Sequence, residues 1–134
     1  MTDLSGFDAP FAQFLGIKLT HVSPERVEAE LTARKELATV PDILHGGAIM
    51  ALADNLGGVA TVANLPKGAR TATIESKTNF FAAIPVGETA RAECTALHRG
   101  RTTMVWQTKI TRSDGKLAAL VTQTQLVFPA RGAK

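Results

Sequence analysis

Between Leu44 and Val62 the apolar residues Ala48, Ile49, Met50, Ala51, Leu52, Ala53, Leu56, Val59 and Ala60 surround a helical axis on all sides. That pattern predicts a buried helix, because a surface helix confines its apolar residues to one stripe. Ahead of it, "ERVEAELTA" alternates strictly, with Val27, Ala29, Leu31 and Ala33 on one side and polar residues on the other, the pattern of a half-buried strand. Behind it come four strand-like segments, "TATIESKTNFF", "ETARAECTALHR", "TTMVWQTKITR" and "KLAALVTQTQLVF". They are separated by Pro85-Val86-Gly87, Arg99-Gly100-Arg101 and Ser113-Asp114-Gly115. Asp-Gly is a hairpin signal, and short turns make successive strands antiparallel. "DAPFAQFLGIKL" predicts a short opening helix with Phe11, Phe14 and Leu15 on one side, ended by Gly16. "RKELATVPD" reads as a loop broken at Pro41. The order of short helix, strand, long helix and four strands predicts an α+β fold, one antiparallel sheet wrapped around one buried helix.

Composition narrows the class. The 134 residues fit a single domain, 1–134, and no repeat or linker interrupts them. With six Phe, one Trp and no Tyr, the core must be mainly aliphatic. A formal net charge of +3 favours anionic partners only weakly. The basic residues are dispersed and stacking aromatics scarce, which argues against nucleic acid. There is no P-loop and no Gly-x-Gly-x-x-Gly after a strand. Cys94 is the single cysteine, so an internal disulfide is excluded. His21, His45 and His98 are scattered, and no metal is expected. No apolar run approaches the roughly 18–20 residues of a membrane span. No basic residue precedes Lys18, and no secretory pattern is visible, so the expected location is cytoplasmic.

The candidate chemistry lies in "PDILHGGAIMALADNLGGVATVA". Asp54 interrupts an apolar helix, and a buried carboxylate without a partner is costly. It is either satisfied and used, or lies on a helix less buried than the pattern suggests. Gly46 and Gly47 each cost roughly 1 kcal/mol relative to alanine inside a helix, which is understandable where something approaches the backbone closely. A helix N-terminus supplies unpaired N–H groups and a positive dipole end, suited to a developing negative charge. Tight packing would explain the glycines equally well. Asp42 is a candidate N-cap, and His45 a structural hydrogen-bonder or a base. Gly46 and Asp54 stand eight residues apart, about 12 Å along a helix at 1.5 Å per residue. They cannot serve one carbon from the same chain, whereas two antiparallel copies of the helix could bring them together.

The motif "LHGGAIMALADNLGGVA" resembles the His-Gly-Gly helix of hotdog-fold acyl-coenzyme A thioesterases of the phenylacetate-pathway type. "PFAQFLGIKL", "TIESKTNFFAAIPVGE" and "HRGRTTMVWQTKITRSDGKLAALVTQTQLVF" resemble other parts of that family, so the likeness covers nearly the whole chain. It implies a hotdog fold and hydrolysis of an acyl- or aryl-acyl-coenzyme A, with coenzyme A as part of the substrate and no cofactor. It implies a homodimer that pairs again into a homotetramer. Residue by residue, Asp54 matches the catalytic carboxylate, as general base or as nucleophile. Gly46 matches the glycine whose N–H polarises the thioester carbonyl, and His45 the motif histidine, with Gly47 beside them. Relatives often carry asparagine where Thr39 stands and glycine where Asp42 stands. Glu75 is the candidate second polar group, with Thr73 and Asn79 expected on the same strand face. Arg99, Arg101 and Thr102 match a turn that relatives place near the coenzyme A phosphates, although solvated turn charges would look the same. A hotdog hydratase or dehydratase and a non-enzymatic acyl-coenzyme A-binding regulator are the alternatives.

Overall fold

A computed structural model describes residues 4–7 and 9–132. The main elements are α1 (Pro10–Leu15), β1 (Lys18–Val22), β2 (Arg26–Thr32), β3 (Ala38–Thr39), β4 (Ile43–Leu44), α2 (Gly46–Val62), β5 (Arg70–Phe80), β6 (Thr89–Arg99), β7 (Thr103–Thr111) and β8 (Leu117–Phe128). Six strands form one antiparallel sheet in the order β1-β2-β6-β7-β8-β5. Helix α2 packs across it, against β2, β5, β6, β7 and β8. This is the sheet around a helix that the patterning predicts.

The four strands after α2 and the alternation of β2 stand where they were expected. Val27, Ala29, Leu31 and Ala33 are all buried. Trp106 is buried beneath α2, its Nε1 donating to Thr61 Oγ1 at 2.9 Å, while Thr61 Oγ1 donates to the Gly57 carbonyl at 2.8 Å. The lone aromatic heteroatom of the core is thereby satisfied.

Several expectations are corrected. Strand β1 was not anticipated, because a bulge between Leu19 and His21 breaks its alternation: Leu19 pairs with Ala29, but His21 pairs with Glu28. The loop before α2 contains a 3₁₀ turn (Lys35–Leu37) and the β3–β4 pair. Helix α1 ends at Gly16 as expected, with φ +85, and Arg34 donates to the Phe14 and Leu15 carbonyls. Its buried residues, however, are Ala12 and Leu15, whereas Phe11 and Phe14 are exposed. Helix α2 is not covered on all sides by its own chain. Gly47, Met50, Asp54 and Val62 are exposed and mark an outward stripe at helical spacing.

Candidate active site

Helix α2 begins with His45, not Asp42. His45 is the N-cap, in extended conformation at φ −62 and ψ 136, and its Nδ1 accepts the Gly47 N–H at 2.8 Å. A backbone N–H can only donate, so Nδ1 is the acceptor in this cap. Asp42 instead occupies a left-handed turn at φ 62, following a cis Val40–Pro41 peptide, and its carbonyl accepts from the Val86 N–H. The His45 carbonyl takes the Ala48 and Ile49 N–H groups, while the Gly46 N–H meets no acceptor among the described residues.

The two glycines have different causes. A Cβ on Gly46 would lie 3.2 Å from the Phe80 ring, and one on Gly47 would lie 3.0 Å from His45 Nδ1. Gly46 therefore lets an aromatic ring cover the helix start, and Gly47 makes room for the imidazole cap. Gly46 borders a cleft of about 380 Å³ whose walls include Ile43, Ile49, Phe80, Phe81 and Thr39.

Asp54 sits two turns further on and is exposed in the single chain. Its Oδ1 accepts from Gln123 Nε2 at 2.9 Å and from Thr73 Oγ1 at 3.4 Å. Gln125 Nε2 donates to Thr73 Oγ1 at 2.6 Å. Gln123 and Gln125 are both buried. Asp54 lines a second cleft, about 440 Å³, together with Phe7, Asn55, Val59, Val62 and Thr71. Gly46 and Asp54 thus open on separate clefts of the same chain.

Of the other candidate residues, Thr73 reaches Asp54 and Glu75 does not. A bulge between Thr73 and Glu75 puts an extra residue, Ile74, into β5, so Thr73 pairs with Gln125 but Glu75 pairs with Thr124. The shift throws Glu75 and, four residues on, Asn79 to the face opposite Thr73. The expectation that the three share a face is corrected, and Glu75 instead faces the Thr124 hydroxyl at 3.5 Å. Arg99 lies at the far end of α2, where its guanidinium donates to the Pro24 carbonyl at 3.1 Å and to Asn64 Oδ1 at 3.4 Å. Arg101 and Thr102 are exposed in the β6–β7 turn.

Gln123, Gln125 and Thr71 were not anticipated. Their signal was available: in "AALVTQTQLVF", the alternation that points Ala119 and Val121 inward also points both glutamines inward. Cys94 supplies no nucleophile. Burial pushes its thiol up to about 11, against a smaller opposing pull from its hydrogen bond with Thr108.

Residues 42–119 match the family model described as the Thioesterase superfamily. The chain belongs to that superfamily. It is 29% identical over 104 residues to the 1,4-dihydroxy-2-naphthoyl-CoA hydrolase of Escherichia coli, covering 78% of this chain and 76% of that one. It is also 29% identical to the proofreading thioesterase EntH of Cronobacter turicensis, covering 78% and 75%. A mutant thioesterase from Pseudomonas aeruginosa superposes with a TM-score of 0.89 at 26% identity, covering 96% of both chains. The protein is a hotdog-fold thioester hydrolase. No helix among the described residues is long and apolar enough to cross a membrane.

Proposed function

We propose that the protein hydrolyses acyl- or aryl-acyl-coenzyme A thioesters at two equivalent sites, each shared by the two chains of a homodimer. The unpaired N–H of Gly46, a residue at the wall of an apolar cleft, carries this reading. It is a preset donor for the oxygen of a thioester carbonyl, and such a donor contributes about 3 kcal/mol once the oxygen becomes an oxyanion. Asp54 of the other chain acts on the same carbon, either by taking a proton from water or by direct attack. With water as the nucleophile, its oxygen bonds to the carbonyl carbon, the carbon–sulfur bond breaks, and the proton held by Asp54 passes to the departing thiolate. Direct attack instead leaves an acyl–Asp54 anhydride that water then hydrolyses, giving the same free acid and coenzyme A thiol.

Three observations support the shared site. Gly46 and Asp54 are about 12 Å apart along one helix, too far for one carbonyl. The clefts holding them both border α2 and β5. Strand β5 is a sheet edge of eleven residues with exposed Ile74 and Phe80, and α2, which packs against it, exposes Met50 and Val62. An edge of eleven residues left open presents a row of unpaired N–H and C=O groups, and pairing with a second copy about a two-fold axis satisfies them while setting the helices antiparallel. This chemistry needs no tetramer. Coenzyme A as the thiol carrier agrees with the printed name of the naphthoyl-CoA relative.

A thiol-release assay across short, medium-chain and aryl acyl-coenzyme A substrates tests the reading. Free thiol from at least one acyl class is the expected result. No thiol from any member, or a hydrated or dehydrated acyl-coenzyme A as product, overturns it.

A further inference from the structure

We propose that Gln123 is a positioning residue for hydrolysis: with Thr73, itself held by Gln125, it binds Oδ1 of Asp54 and leaves Oδ2 as the reacting oxygen. This rests on the reading of Asp54 as base or nucleophile.

Gln123 is 1% exposed, and its amide makes asymmetric use of its two ends. Nε2 lies 2.9 Å from Asp54 Oδ1 and 3.1 Å from Thr73 Oγ1. Oε1 has no hydrogen-bond partner among the described residues. It fills the space where a side chain at position 57 would stand, since a Cβ on Gly57 would lie 2.0 Å from it. Turning the amide over would aim Oε1 at the carboxylate, acceptor against acceptor. The orientation is therefore set by Asp54. An orphaned buried acceptor is a cost that an apolar residue at 123 would avoid. The amide makes sense through what its N–H groups hold, and glycine at 57 is the residue that admits it.

The surrounding bonds run one way. Gln125 Nε2 donates to Thr73 Oγ1 at 2.6 Å and Thr73 Oγ1 donates to Asp54 Oδ1 at 3.4 Å, while Thr71 Oγ1 lies 2.9 Å from both Gln125 Oε1 and the Leu126 carbonyl. The Thr73 hydroxyl accepts from both glutamine amides and spends its proton on the carboxylate, which fills its bonding capacity. Bonds aligned head to tail polarise one another, and these converge on a single atom. Among the described residues no donor meets Oδ2, and Asp54 borders the open cleft. A carboxylate gripped by one oxygen loses rotational freedom and offers the other in a fixed direction, which favours attack geometry.

The test uses Gln123→Met, which keeps the length and removes the donor, and Thr73→Val at an exposed position that tolerates change. Substrate is an acyl-coenzyme A that the wild type turns over. Loss of one hydrogen bond to a charged group sets the scale. Gln123→Met should lower kcat roughly ten- to hundred-fold with KM within about two-fold, and Thr73→Val should lower kcat less. The double variant Asp54→Asn with Gln123→Met should be no slower than Asp54→Asn alone, because both act through one group. Gly57→Ala, whose Cβ displaces the amide, should resemble Gln123→Met. Wild-type kcat in folded Gln123→Met overturns the proposal, and so do losses that multiply in the double variant. Should Gln123→Met not fold, wild-type kcat in Thr73→Val overturns it. Active Asp54→Asn brings down the catalytic reading and this proposal together, whereas dead Asp54→Asn with normal Gln123→Met brings down this proposal alone.

Discussion

The first and third turns of α2 hold the two groups of the proposed site in opposite ways. At the first turn, the fixed element is backbone. His45 caps Gly47, its carbonyl takes the next two donors, and Gly46 is left with a free N–H whose direction is set by the helix itself. At the third turn, the working group is a side chain on an exposed face, and tertiary partners must hold it. Asp54 is gripped from β5 and β8, by residues 19 and 69 positions away in the chain. A helix terminus is preorganised by local geometry, whereas a carboxylate must be preorganised by the sheet beneath it.

The strongest way to break this comparison is Asp54→Asn. The asparagine keeps the volume, and its carbonyl oxygen can still accept from Gln123. The fold should survive while hydrolysis falls about 10²–10⁴-fold, the scale of a general base or nucleophile. Wild-type turnover in a folded variant would remove the third turn from the chemistry.

Gly46→Pro attacks the other turn by deleting its N–H. Loss of one oxyanion donor costs about 10²–10³-fold in kcat. Mixing the two dead proteins then tests whether the turns cooperate across chains. In a mixed dimer one site inherits both lesions and the other neither. With random pairing, half the dimers are mixed, so reassembly should restore up to about a quarter of wild-type activity. Two folded, exchanging variants that restore nothing would overturn the pairing of Gly46 with Asp54 across chains.

A smaller effect sharpens the local half of the comparison. His45→Ala removes an N-cap, which costs about 1 kcal/mol in denaturant unfolding. Activity should fall as well, since the cap fixes the turn that aims the Gly46 N–H. A variant with unaltered stability would show that the imidazole does not cap the helix in solution.

The same contrast explains how much of the site was legible in the sequence. Helix α2, its His-Gly-Gly start and the strands β2, β6, β7 and β8 follow from periodicity, because each pattern is written in neighbouring residues. Asp54 was conspicuous because it broke such a pattern. Its supports were not, since pairing Asp54 with Gln123 requires the register of β8 beneath α2. Single inserted residues did the remaining damage. The bulge in β1 erased the alternation that would have revealed the strand, and the bulge at Ile74 moved Glu75 and Asn79 to the wrong face. The cap was misassigned to Asp42 because its residue type favours capping, although its left-handed turn sets it apart from the helix start.

The smallest expected effect lies at the last turn of α2, away from both proposed catalytic groups. Asn64 follows the helix and donates from Nδ2 to the Ala60 and Pro24 carbonyls. Arg99 joins this knot by donating to Pro24 and to Asn64 Oδ1. Its guanidinium is thus partly committed to holding the turn. Arg101 is exposed, with no hydrogen bond or ion pair among the described residues. If coenzyme A phosphates reach this turn, Arg101 is the freer arginine to meet them, and Arg99 contributes mainly by shaping the loop. Replacing both with alanine should raise KM by roughly two- to five-fold, the scale of exposed charge pairs worth about 0.2–1 kcal/mol each. The constant kcat expected alongside it is the mark of lost ground-state binding. Arg101→Ala alone should reproduce most of the change, which should shrink at high salt as the charges are screened. An unchanged KM at low ionic strength would return both arginines to ordinary solvated surface, and leave the last turn of α2 with structure as its only role.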